Sequence, residues 1–301
     1  MGMKETKFIW MDGRFVKWKA AKVHIMTHAI HYGSAVFEGI HSYKTDKGAA
    51  IFRLDDHIKR LFHSANALGI RIKFTTQQLK NAIKKLVKLN RVSDAYIRPL
   101  AYYGYGNIGV FPKDVPTNIA LIAVPWGSYY SGNLRIMISR FIRHSAKEIV
   151  YGTKLSGNYA NSILAMHEAR KRGYDEALML DEYGNVAEGP AENIFLVKNK
   201  VLTTPSSRSA LPGITRKSIL EISRDLGFKA YEKKVTLKDV RHADELFFCG
   251  TATEIAPIIS IDGKRVGDGK VGRITSKIRD KYSGVVRGKD KKYRKWLTYV
   301  G

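Results

Sequence analysis

Lys154, in the stretch YGTKLSGNYANS, stands just before a helical pattern, with Gly157, Asn158 and Tyr159 behind it. A lysine amine turns nucleophilic when burial or nearby positive charge favours its neutral form, and it then forms a Schiff base with an aldehyde. A helix start supplies such a field, because the macrodipole is positive there. A lysine taken alone is more often a solvated surface residue, so its neighbours in the sequence decide. In PGITR, Gly213 permits close backbone approach, and the amides of Ile214 and Thr215 open a helix N-terminus suited to phosphate. A plain helix start with Thr215 as its cap fits the same letters. In CGTAT, Gly250, Thr251 and Ala252 offer a hydroxyl and turn amides to a second anion. In AYIRPL, strand alternation puts Tyr96 and Arg98 on one face, where phenol and guanidinium make a carboxylate receptor or an exposed strand face. In VAEGPAENIF, Glu188 and Glu192 stand at a strand end, or in a surface turn.

Composition narrows the partners. Lys and Arg number 52 against 27 Asp and Glu, a formal charge of +25. Such a balance suits nucleic acid, yet the basic residues are spread along the chain and only RGKDKKYRKW is dense. A solvated surface that attracts small anions is the preferred reading, and specific nucleic-acid binding is not expected. Cys249 is the sole cysteine and lies in the apolar ELFFCG, so it reads as a buried, inert thiol. No G-x-G-x-x-G follows a strand, no P-loop is present, and no cluster has zinc spacing. His24, His28 and His31 read as strand and turn residues, and no metal is expected. IALIAVPW is too short to span a bilayer, and the N-terminal MGMKETKFIWMDG lacks the apolar core of a signal peptide. The expected setting is cytoplasmic.

The elements that must position these residues mix both periods. FIWMDGRFVKW predicts a hairpin turning at Asp12 and Gly13, and AVFEGIHSYKTDKGAAIFRL a second. Asp55 or Asp56 then caps a helix through Ile58, Leu61, Phe62, Ala65 and Leu68, ending at Gly69. Thr75 and Thr76 open another. AYIRPLAYYGYG, NIALIAVPW and LRIMISRFIR read as strands. A helix is expected from about Ser156 to Arg172. The strands EALMLD and NVAEG, the hairpin NIFLVKNKVLTTP, a helix entered through Pro212 and Gly213, and the strand ELFFCG follow. The result is a mixed α/β (α+β) chain, not a doubly wound dinucleotide fold. GSYYSGN marks a linker, giving a small α/β sandwich over 1–126, a linker at 127–133 and a larger domain over 134–301 that carries Lys154.

In order, FIWMDGRFVKW, HAIHYGSAVFEGI, YIRPL, VPWGSY, KLSGNYANSILAMHEA, EALMLDEYGNVAEGPAENIF, SALPGITR, ELFFCGTATEI and PIISIDGKRVGDG resemble the branched-chain amino-acid aminotransferases, pyridoxal-phosphate enzymes of fold type IV. The resemblance spans nearly the whole chain. It implies a larger domain with barrel-like β-structure and the cofactor pyridoxal 5'-phosphate, cycling with pyridoxamine 5'-phosphate. It implies ping-pong transfer of an amino group between L-branched-chain amino acids and 2-oxoglutarate. In that likeness Lys154 holds the cofactor, Glu188 faces the pyridine nitrogen and Tyr159 the ring oxygen. Arg60, Gly213, Ile214, Thr215 and Thr251 hold the phosphate. Phe37, Tyr32, Trp126 and Tyr129 line the substrate pocket, with Tyr32 coming from a neighbouring subunit. Tyr96, Thr251 and Ala252 take the α-carboxylate, and Arg98 the distal carboxylate of glutamate. The partners implied are amino acids, 2-oxo acids and at least one further copy of the chain; closed symmetry allows a dimer, a tetramer or a trimer of dimers. D-amino-acid aminotransferases and aminodeoxychorismate lyases share the lysine, the glutamate and the phosphate cup, but EGI, YIRPL and PWGSY are closer to the branched-chain group. One departure stands out: His41 follows EGI where bacterial members often carry arginine, which bears on acceptor preference.

Overall fold

The computed structural model describes residues 4–127, 130, 132–206 and 208–301. The chain divides into two compact units: the first comprises Met1–Gly127, Gly152–Asn158 and Gly284–Gly301, the second Ser128–Tyr151 and Tyr159–Ser283. This differs from one linear boundary near 127–133, because two later segments return to the first unit.

In the first unit β1 (Phe8–Met11) and β2 (Arg14–Lys17) form the expected hairpin, with Asp12 and Gly13 at φ 45° and 94°. The helix α1 (His28–Tyr32) corrects the reading of its histidines as strand residues. His28 is buried there, its ring nitrogens hydrogen-bonded with Ser34 Oγ at 2.7 Å and the Gly109 carbonyl at 2.9 Å. The strands β3 (Ala35–Phe37), β4 (Ile40–Thr45), β5 (Gly48–Phe52), β6 (Ala95–Tyr103) and β7 (Thr117–Pro125) follow. The second expected hairpin is β4–β5 alone; β3 pairs with β6, because Glu38 and Gly39 interrupt the run. The sheet order is β17-β5-β4-β6-β7-β1-β2, where β17 is the C-terminal strand Leu297–Tyr299. Two helices cover the sheet, α2 (Leu54–Ala67) and α3 (Thr76–Asn90). Ile58, Leu61 and Ala65 of α2 and Leu79, Ile83 and Leu86 of α3 recur at helical spacing and share a core with Val36, Ile40, Ile97 and Leu121.

Helix α3 starts as its sequence indicates, with a capping box between Thr75 and Gln78. Helix α2 does not. Its cap is Arg53, in the left-handed region at φ 52°, with its guanidinium 4.5 Å from the Trp296 ring and its Nε 2.7 Å from Asp56 Oδ2. Asp55 and Asp56 instead occupy the first turn, where negative charge suits the helix dipole.

The segment carrying Lys154 is extended. Phe37 N–H donates to the Lys154 carbonyl at 3.2 Å, Ser156 N–H donates to the Ala35 carbonyl at 2.8 Å, and Leu155 bridges Val36. Gly33, at φ 61°, lets the segment close in: a Cβ there would stand 2.7 Å from Gly157 Cα. Helix α4 (Tyr159–Lys171) begins three residues later than expected, so Lys154 lies on an extended strip beside β3 and not at a helix start.

The second unit holds β8 (Leu134–Ile138), β9 (Glu176–Leu180), β10 (Val186–Glu188), β11 (Asn193–Lys198), β12 (Val201–Pro205), β13 (Ala230–Lys233), β14 (Glu245–Gly250), β15 (Glu254–Ile261) and β16 (Lys264–Arg265). Their order is β10-β9-β8-β15-β14-β11-β12-β13, with β16 on β15, in a sheet that curls as a half-barrel. The parallel pairs β8–β9 and β12–β13 are joined through α4 and α5 (Ile214–Asp225), as parallel neighbours require a crossover. The short α6 (Leu237–Arg241) precedes β14, and the chain leaves the unit within α7 (Arg273–Val286). Leu134, Ile136, Leu178, Ile194, Leu196, Phe248 and Ile258 belong to its main core. Cys249 is fully buried and burial pushes its thiol pKa far up, so it is inert as expected. Among the described residues, no helix is long and apolar enough to cross a membrane.

Candidate active site

Phe37 is the last residue of β3, and two basic side chains lie against its ring. Lys154 Nζ is 4.9 Å from the ring centroid and Arg98 Cζ 4.5 Å. The alternation of β6 brings Tyr96 and Arg98 to one face, where Arg98 Nη2 donates to Tyr96 Oη at 2.8 Å. The Tyr96 ring is 5.0 Å from that of Trp126. Gly39 makes room for this hydroxyl, since a Cβ there would lie 2.2 Å from Tyr96 Oη. Arg98 Nε is buried with no hydrogen-bond partner among the described residues, a donor suited to an incoming anion. The backbone N–H of Lys154 donates to Ser64 Oγ at 2.9 Å, which fixes the root of its side chain.

Arg60 is held by Glu38. Its Nε and Nη2 donate to the two carboxylate oxygens at 2.5 and 2.9 Å, and His57 Nδ1 meets the second at 2.7 Å. Tyr32 is placed apart from this group, at the end of α1, half-exposed and donating to the Ile108 carbonyl. Tyr129 lies outside the described residues.

In the second unit, Glu188 ends β10 and is buried. Its Oε1 is 2.9 Å from Arg143 Nη2, while its Oε2 accepts Asn193 Nδ2 at 3.0 Å and the Leu211 N–H at 3.1 Å. Arg143 went unrecognised because LRIMISRFIR reads as one strand, whereas β8 ends at Ile138 and Arg143 lies in the irregular segment beyond it. Its Nη1 donates to Ser162 Oγ at 3.0 Å, and Ser162 in turn donates to the Pro190 carbonyl at 2.7 Å. Asn193 also donates to the Leu211 carbonyl at 2.9 Å and so ties Glu188 to the chain entering α5. Gly213 is the residue before that helix, whose first turn starts with Ile214 and Thr215; the amides there have no partner within the helix. Thr215 is thus inside the first turn and not its cap. Thr251 and Ala252 form the turn from β14 to β15, and Tyr159 is the first residue of α4.

That turn is anchored by a further group. Thr253 Oγ1 donates to Glu192 Oε1 at 3.2 Å, and the Ala191 N–H to Glu192 Oε2 at 3.1 Å. Tyr130 hydroxyl donates to Glu176 at 2.5 Å and lies 3.4 Å from Glu192. Burial and then the nearby Glu176 charge push Glu192 up to about 8, so it is mostly protonated at neutral pH. The sequence singled out Glu192 without giving it this part.

Residues 35–261 match the amino-transferase class IV family. The branched-chain-amino-acid aminotransferase of Pseudomonas aeruginosa is 40% identical over 297 residues, which is 97% of each chain. Among solved structures, a branched-chain amino acid aminotransferase complexed with N-(5'-phosphopyridoxyl)-L-glutamate matches with a TM-score of 0.96 at 41% identity, covering 99% of both chains. The branched-chain amino acid aminotransferase of Thermobaculum terrenum, in its PLP-form, matches with a TM-score of 0.92 at 36% identity, over 98% of this chain and 99% of that one. A likeness that runs from end to end, and not through one motif, carries the conclusion that this chain belongs to the amino-transferase class IV family.

Proposed function

We propose that the protein is a pyridoxal-phosphate-dependent aminotransferase acting between L-branched-chain amino acids and 2-oxo acids, with 2-oxoglutarate as acceptor. The observation that carries this reading is the group Lys154, Phe37, Arg98, Tyr96: an amine and a carboxylate receptor 4.9 and 4.5 Å from the centre of one apolar ring.

The residues present fit such a cofactor. Lys154 supplies the amine. Glu188 is a buried carboxylate paired with Arg143, the kind of group that suits a protonated pyridine nitrogen. Gly213 opens a helix N-terminus onto which no side chain of its own intrudes, and amides there suit a phosphate. When bound, pyridoxal phosphate supplies the carbonyl that takes the substrate amine and an electron sink for charge developing at the α-carbon.

The chain's own part is positional and acid–base. Arg60, Gly213, Ile214, Thr215 and Thr251 hold the phosphate, and Tyr159 the ring oxygen. With the cofactor bound, the Lys154 amine would take a proton from the substrate α-carbon as base and give it, as acid, to the cofactor carbon that carries the substrate nitrogen. Tyr96, Thr251 and Ala252 hold the α-carboxylate. Phe37 and Trp126, with Tyr32 of a second copy, offer the apolar wall for leucine, isoleucine or valine. Arg98 receives the distal carboxylate of glutamate; with leucine bound, the Tyr96 hydroxyl remains its partner, so its charge is not stranded. Two half-reactions through one site give ping-pong kinetics.

A homo-oligomer of at least two chains belongs to this reading. Ile25, Ile30, Ile108, Val110 and Phe111 are exposed, and their two segments are tied together through His28 to Gly109 and Tyr32 to Ile108. An apolar patch of this kind suits a second copy, and it carries Tyr32, the residue assigned to a neighbour's pocket.

The test is the absorbance spectrum of the purified protein with pyridoxal phosphate, before and after L-leucine or D-alanine, beside Lys154→Ala. The expected result is a cofactor band that responds to L-leucine and not to D-alanine, with the variant failing to turn over. A response to D-alanine alone overturns the substrate assignment. No band at all overturns the cofactor.

A further inference from the structure

Glu38 is a charged side chain with no exposed surface, in the turn between β3 and β4, and no step described above uses it. Its surroundings account for the charge. Burial pushes its carboxyl up, but the Arg60 guanidinium and the His57 hydrogen bond outweigh burial and hold it well below the usual carboxylate range. Burial also lowers His57, so a neutral ring donates from Nδ1 and adds no charge. Glu38 and Arg60 therefore cancel, and what the pair retains is direction. Two parallel hydrogen bonds fix the plane of a guanidinium as well as its distance.

The residues on either side of Glu38 touch the rest of the group. Phe37 carries the ring that both Lys154 and Arg98 approach. Gly39 lies under the Tyr96 hydroxyl. The Glu38 N–H donates to the Pro99 carbonyl at 2.9 Å, in the strand that bears Tyr96 and Arg98. Three consecutive residues thus meet Lys154, Arg60 and the Tyr96–Arg98 pair.

We propose that Glu38 is a positioning residue of this site: it sets the plane of the Arg60 guanidinium and anchors the 37–39 turn, so one buried side chain aligns the phosphate contact with the substrate contact. The inference rests on the reading of Arg60 as a phosphate ligand. Because Glu38 already balances the Arg60 charge, Arg60 contributes to phosphate binding mainly through aimed hydrogen bonds. Glu38→Gln keeps the shape but turns an N–H₂ donor toward donors, and the fork is lost.

The experiment is a double-mutant cycle on the dissociation constant of pyridoxal phosphate, using Glu38→Gln, Arg60→Lys and the pair, with the thermal midpoint of each apo-protein measured alongside. Arg60→Lys keeps the charge and cannot form the fork. Each single variant should weaken binding about tenfold, the scale of one charge-assisted hydrogen bond, and the pair should be no weaker than Arg60→Lys alone. Losses that multiply, or wild-type affinity in Glu38→Gln, overturn the inference. If Glu38→Gln does not fold, Glu38→Asp, which keeps the charge and shortens the reach, takes its place with the same two outcomes. A wild-type protein that takes up no pyridoxal phosphate overturns the cofactor reading and this inference with it, whereas a multiplicative cycle on a binding wild type overturns the inference alone.

Discussion

Asn193 occupies the space that a side chain on Gly213 would need. A Cβ at Gly213 would lie 1.9 Å from Asn193 Oδ1, while the amide of Asn193 is bonded to Glu188 and to the Leu211 carbonyl. The backbone at Gly213, φ −63° and ψ 136°, is open to any residue, so the requirement for glycine is purely steric. Gly213→Ala is expected to displace Asn193, destabilise the fold by about 1–3 kcal/mol and weaken pyridoxal-phosphate binding. Urea unfolding and a cofactor titration read both effects; unchanged binding would remove Gly213 from the phosphate assignment.

Arg143 Nη2 stands 2.9 Å from the buried Glu188 carboxylate. Their side chains are only 12% and 5% exposed. Removing one partner of such a pair leaves the other charge uncompensated, at a cost of about 3–5 kcal/mol. Arg143→Met should show that loss in its urea midpoint, and Arg143→Lys, which keeps the charge, should recover part of it. Equal losses in the two variants would mean that the shape of the guanidinium, not its charge, is what Arg143 contributes.

Glu192 makes stability fall with rising pH. Its carboxyl is raised by burial and by Glu176, from 4.5 to about 8. The folded state therefore binds a proton that the unfolded chain has already lost. The contribution is fully present below about pH 4.5, and it is lost as pH rises through about 8. Glu192→Gln removes this slope, so the variant should gain on the wild type between about pH 5 and about pH 9. Unfolding midpoints across that range check it, and parallel profiles would show that Glu192 does not hold the proton.

On the proposed function, Arg98 separates the two substrates. Arg98→Met should weaken the half-reaction with glutamate or 2-oxoglutarate by roughly ten- to a hundredfold, the range for a hydrogen bond to a charged group, and the half-reaction with leucine by much less. Single-turnover rates for each amino acid measure the difference. Equal losses would place Arg98 on the α-carboxylate common to both.

The parts of this fold legible in the sequence are those with local causes. The turn at Asp12 and Gly13, the capping box of Thr75 with Gln78 and the pairing of Tyr96 with Arg98 each follow from neighbours in sequence. The start of α2 does not, because Arg53 takes a left-handed conformation against Trp296, near the other end of the chain. Lys154 reads in the sequence as standing at a helix start and is misplaced there, because its strip is held by β3, more than a hundred residues earlier. Arg143 gave no signal. Glu38 gave a weak one, a lone carboxylate among the apolar residues of AVFEGI, which must be paired if buried.

The C-terminal strand β17 pairs with β5, and Trp296 packs on Phe52 and Arg53. The sheet that holds β5 is therefore completed by residues synthesised long after it. Until then β5 presents an open edge, prone to pairing with other chains. Synthesis of this protein thus has a vulnerable interval as long as the translation of everything between Phe52 and Leu297, and a nascent chain halted inside α7 keeps that edge open.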